Sequence, residues 1–114
     1  AYDTCRIIAQ PHFDGAEPQI EQTPLLRERD WGGFTGRYIP DLKDAVWPDD
    51  IETLEAMKLR GRRFLDHIRK EYAGKTVLAV GHGIINKAIQ SVYYNRPMKD
   101  IEPMQNAEMR TLEL

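Results

Sequence analysis

A chain of 114 residues has room for one domain with a real core, near the low end for a complete α/β sheet. With 41% hydrophobic and 30% charged residues, and no run near the ~18 apolar residues of a membrane span, the composition excludes a disordered or membrane-embedded chain. A net charge of -2 gives no general attraction for nucleic acid, and Cys5, the single cysteine, can form neither an internal disulfide nor a paired thiolate metal site.

The first predicted element is a short helix over 2–10, where Cys5, Ile8 and Ala9 share a side and Pro11 ends the run. It begins abruptly at Ala1, without a capping segment or a charged-then-apolar leader. The expectation is a piece of something longer, in a cytoplasmic setting. His12-Phe13-Asp14-Gly15 reads as a turn rather than a metal site, because two ligand types in a loop are a weak signal. A weak strand is expected at 20–25, followed from Arg27 to Asp50 by irregular, glycine-punctuated chain.

The clearest helix comes next. Asp49 and Asp50 offer N-cap oxygens, with Glu52 three residues after Asp49 as in a capping box. Leu54, Met57, Gly61, Phe64, Leu65, Ile68 and Tyr72 mark one face, and Gly74 ends the helix. Lys58, Arg60, Arg62, Arg63, Arg69 and Lys70 are interleaved with Glu55, Asp66 and Glu71, the pattern of a solvated helix face rather than a nucleic-acid patch. His67, next to the apolar face, is expected to pack there.

A strand is expected at 76–80, then a helix over 84–95 with the stripe Ile84, Ile85, Ala88, Ile89 and Val92, and a last strand over 107–114. Alternating helices and strands imply an α/β fold, a parallel or mixed sheet covered by helices. In such a sheet, Gly81-His82-Gly83 between strand and helix holds the usual place for anion chemistry, since amides opening a helix carry partial positive charge. His82 and Gly83 are therefore candidates for phosphate binding. Against this stands a plainer reading in which the two glycines only permit a tight turn. Glu28, in a loop after the expected strand and ahead of Gly32, Gly33 and Gly36, is a candidate proton donor and acceptor; the alternative is a surface ion pair with Arg27 or Arg29.

In this order, Leu26-Arg27-Glu28, Gly32 and Gly36, Glu52-Thr53 opening a helix with Arg60 and Phe64-Leu65, and Val80-Gly81-His82-Gly83 resemble the later half of a histidine phosphatase, one of the phosphoglycerate mutase-like enzymes. Ala1-Tyr2-Asp3-Thr4 is similar to the end of that family's Ser-x-Leu-x-Arg-Ala-x-x-Thr segment, and Asn106-Ala107 also matches. The resemblance covers essentially all of the chain and implies a three-layer α/β/α sandwich, here incomplete because its central first strand lies outside the 114 residues. It also implies phosphoryl transfer through a phosphohistidine without metal or other cofactor. Glu28 then resembles the acid/base and His82 the second, phosphate-contacting histidine. No Arg-His-Gly nucleophile motif is present, and Ile84 and Lys87 stand where the family's His-Gly-Gly-x-x-Arg has glycine and arginine.

The interval between Gly36 and Glu52 is short beside that of the glycolytic mutases, which favours phosphatase over mutase. The expectation is part of a phosphomonoester phosphatase with a small phosphorylated substrate, inactive by itself and able to self-associate through an uncovered sheet edge. The rivals are a mutase, a non-catalytic phosphate or sugar-phosphate binding module and, last, a nucleotide-binding domain, for which no glycine-rich phosphate motif is present. Arg37, Tyr38 and Trp47 are more readily read as surface or core than as substrate contacts.

Overall fold

Two helices packed across a glycine form the centre of the molecule. The computed structural model of the chain describes residues 2–13, 20–32, 51–105 and 107–114. The elements are α1 (Tyr2–Ala9), α2 (Leu54–Glu71) and α3 (Gly83–Tyr94), with short 3-10 turns at Gln10–Phe13, Pro24–Leu26 and Met98–Asp100.

α2 and α3 form where the apolar spacing predicts them, although their caps differ from expectation. Thr53 is the N-cap of α2, its Oγ1 accepting from the Ala56 amide at 3.0 Å. Asp49 and Asp50 lie outside the described residues, and Glu52 turns away from the helix end toward Arg60. α2 ends at Glu71, and Gly74 follows with φ +75°, a conformation that suits a residue without Cβ. α3 ends at Asn95 in the left-handed region, whose amide reaches the carbonyls of Ser91 and Val92.

The core follows from those two stripes. Met57, Phe64 and Leu65 of α2 meet Ile85, Ala88 and Ile89 of α3, with Met98 closing one side. Leu25, Leu26, Ile68, Ile84, Val92, Tyr93 and Leu112 pack around them half-buried. A Cβ on Gly61 would lie 3.2 Å from the Cα and N of Ile89, so at this crossing backbone meets backbone with no room for a side chain.

The expected three-layer α/β/α sandwich is not what forms: the described residues contain helices and turns but no strand. Each of the three strand candidates meets the same obstacle. A strand is completed only by hydrogen bonds to another extended segment, and among the described residues none of the three is paired with one. Within 20–25 the chain turns into the 3-10 turn Pro24–Leu26, which Thr23 caps. Residues 76–80 run without helix or ladder, leaving Val77 and Leu78 41% and 46% exposed. Residues 107–114 begin at Ala107 with φ +62° and are tied to α3 by side chains, through Arg110 to Gln90 Oε1 at 2.8 Å and Tyr93 Oη to the Glu113 carbonyl at 2.7 Å. The apolar run at 76–80 and the alternation at 107–114 are therefore present in the sequence without, among the described residues, a partner that would convert them into a sheet. Among the described residues no helix is long and apolar enough to cross a membrane.

Candidate active site

The segment carrying Glu28 is shaped locally before it meets α3. Thr23 Oγ1 accepts from the Leu25 amide at 3.2 Å, Pro24 opens the turn with its φ already suited to it, and Arg27 leaves in an extended conformation. Leu25 and Leu26 lodge half-buried against the core, which brings Glu28 to the amino end of α3.

That helix end lacks an acceptor of its own. His82 is the N-cap of α3 but makes no side-chain capping bond, so the first amides of the helix need a partner from elsewhere. Glu28 is that partner. Its Oε2 accepts from the Ile84 amide at 3.2 Å and its Oε1 from the Ile85 amide at 3.1 Å. Oε1 also accepts from the amide of Arg29 at 3.0 Å. Three backbone N–H groups thus converge on one half-buried carboxylate, and the partial charge of the helix end favours an anion there.

The structure therefore brings Glu28, His82 and Gly83 to a single helix terminus, with Glu28 on the amides that immediately follow His82-Gly83. His82 and Gly83 are both exposed, and the His82 carbonyl accepts from the Asn86 amide at 2.9 Å. The surface ion pair considered for Glu28 is replaced by these backbone bonds. Neither Gly81 nor Gly83 has a left-handed φ, so the turn does not require glycine for its backbone angles. A Cβ at Gly83 would meet nothing within 4 Å, whereas one at Gly81 would lie 2.5 Å from Asn86 Oδ1. What Gly83 leaves behind is open access to the start of α3.

Beside this terminus is a second cluster that the charge pattern does not disclose. Arg60 and Glu52 pair through Nε to Oε2 at 2.7 Å and Nη2 to Oε1 at 2.8 Å, with side chains only 17% and 15% exposed. Arg60 is thus no part of a solvated face. Burial alone would raise the Glu52 carboxyl, but the Arg60 hydrogen bonds, the Asp30 amide and the Arg60 charge outweigh it and hold the group below the usual carboxylate range. An open cavity of about 220 Å³ lies against Arg27, Asp30, Glu52 and Arg60. The signal available in the sequence was position: Arg60 stands three residues after Met57 and four before Phe64, on the border of the apolar face.

His67 is partly buried as expected, packing edge-on against the Tyr72 ring at a centroid distance of 6.1 Å, and its Nε2 also meets Glu21 Oε1 at 3.0 Å. Gly33, Gly36, Arg37, Tyr38, Trp47, Asp14 and Asn106 lie outside the described residues. Among the described residues, no three His, Cys, Asp or Glu side chains gather as ligands of a metal would.

The sequence model of the histidine phosphatase superfamily (branch 1) matches residues 1–114. The chain belongs to the histidine phosphatase superfamily. No curated protein and no solved structure gives a significant match. Membership of the superfamily gives the seating of Glu28 on the helix end that His82 caps a chemical context, since the amides of a helix terminus favour negative charge.

Proposed function

We propose that this chain supplies the proton-handling carboxyl, Glu28, and one phosphate-contacting imidazole, His82, of a phosphomonoester phosphatase that works through a phosphohistidine. The observation carrying this reading is the seating of Glu28 on the Ile84 and Ile85 amides directly after His82-Gly83, in a chain of this superfamily.

In the proposed reaction an imidazole nitrogen attacks phosphorus, the ester P–O bond breaks, and Glu28 delivers a proton to the departing oxygen. Glu28 then removes a proton from water as that water breaks the N–P bond and releases inorganic phosphate. His82 and Gly83 face the phosphate oxygens, and a phosphate reaching the first turn of α3 exchanges with the Glu28 carboxylate there. The attacking histidine is not assigned: His12, His67 and His82 are the three histidines of the 114 residues, and none stands in an Arg-His-Gly sequence. Phosphatase is preferred to mutase because the interval between Gly36 and Glu52 is short.

Titration of the 15N-labelled protein with inorganic phosphate tests the site. Saturable shifts at His82, Gly83 and Ile84, lost in H82A, are expected, whereas shifts scattered over surface lysines with none at α3 would refute the reading. The 114 residues by themselves are expected not to turn over p-nitrophenyl phosphate.

A further inference from the structure

Glu28 reaches α3 across 56 residues of sequence, and the short turn before it rests on the core through Leu25 and Leu26. The polar hold on its backbone comes from α2. Arg60 Nη1 donates to the Arg27 carbonyl at 2.7 Å and also lies 3.2 Å from the Leu25 carbonyl and 3.3 Å from that of Pro24. One guanidinium nitrogen therefore gathers the carbonyl oxygens at the exit of the 3-10 turn, the last of them on the residue before Glu28. The other two nitrogens of Arg60 are committed to the Glu52 carboxylate.

Glu52 fastens the other side of Glu28. Its Oε1 accepts from the Asp30 amide at 3.1 Å, its amide donates to the Asp30 carbonyl at 2.8 Å, and its carbonyl accepts from Arg29 Nε at 2.7 Å. Glu28 thus lies between two anchored neighbours, Arg27 held by Arg60 and Arg29-Asp30 held by Glu52, and the two anchors are bonded to each other.

We infer that the Glu52–Arg60 pair is the positioning element for Glu28, fixing both flanks of its loop so that its carboxylate falls on the first turn of α3. The pair acts through the backbone and touches no reacting atom. A lysine at position 60 keeps the charge but has a single donor centre, which cannot bind the carboxylate in two places and also bridge three carbonyls. The chemical consequence of this positioning rests on the phosphatase reading above; the positioning itself does not.

The experiment follows the amide shifts of Ile84 and Ile85 through acid titration of the labelled protein, in the wild type and in E28Q, R60K and E52Q. In the wild type both amides are expected to follow the Glu28 carboxyl, and E28Q to flatten both curves, which assigns the effect to that group rather than to Asp30, Glu52 or another neighbour. R60K is expected to lose most of the amplitude at Ile84 and Ile85 while the amides of Met57 and Ile89 keep their folded positions. Wild-type curves in folded R60K would overturn the inference. Should R60K not fold, E52Q carries the same comparison, with the same loss expected and wild-type curves again refuting. Failure of the phosphatase reading is separate, and takes the form of inorganic phosphate leaving His82 and Gly83 unmoved in the wild type.

Discussion

Two carboxylates tie the 20–32 segment to helix α2, and they do so under different conditions. Glu52 binds Arg60 in two places with both side chains largely out of water. Glu21 binds His67 at 3.0 Å and the Tyr72 hydroxyl at 2.5 Å, with His67 and Glu21 still 31% and 47% exposed. Both carboxyls are held below their ordinary range. For Glu21 the Tyr72 hydrogen bond leads, desolvation opposes it, and His67 adds a lesser lowering; the same bond raises the Tyr72 hydroxyl. The lesson is that a lowered carboxyl does not by itself measure a structural contribution. Water competes for the exposed pair and takes its place when it is broken, while the half-buried pair leaves an uncompensated charge and unmet carbonyls.

The sharpest way to break this contrast is R60A. It strands the Glu52 charge and releases the carbonyls of Pro24, Leu25 and Arg27, and should cost roughly 3 kcal/mol, the low end for breaking a buried pair; urea unfolding measures it. A loss no larger than that of E21Q would erase the distinction. Next is G61V, which pushes a branched side chain into the backbone of Ile89 and should cost about 2 kcal/mol through overpacking. By parting α2 from α3 it should also weaken the hold of Glu28 on the Ile84 and Ile85 amides, which H82A should not do. A G61V protein of unchanged stability would show that the helices can separate freely.

The smallest effect is in acid. A carboxyl lowered on folding contributes stability that is complete above its unfolded value and is lost as pH falls through the folded one. Wild-type stability should therefore decline below the usual carboxylate range, and E52Q should remove part of that slope at a site where the fold is sensitive. E21Q should change the slope less, with a correspondingly small loss near neutrality, because water screens the exposed Glu21 pair. Stability measured against pH for the three proteins decides, and equal losses for E52Q and E21Q near neutrality would contradict the comparison.

Helices α2 and α3 were legible from spacing alone because each helix supplies its own backbone partners and needs only a stripe to bury. Thus Met57, Phe64 and Leu65, and Ile85, Ala88 and Ile89, fall inside where the pattern puts them. The strand readings at 20–25, 76–80 and 107–114 fail for the complementary reason, since an apolar run or an alternation marks a candidate strand but supplies no neighbour. The superfamily was also legible, through an ordered set of short motifs running the length of the chain.

Tertiary structure alone decided that Glu28 sits on the amides of α3 and that Arg60 turns inward to meet Glu52 and three carbonyls. Local sequence determines what a residue can donate or accept, and the periodicity of a helix determines which face it turns to the core. Whether a carboxylate meets a helix end 56 residues away depends on where the packing of α2 against α3 leaves both, and that is settled only when the chain has closed on itself.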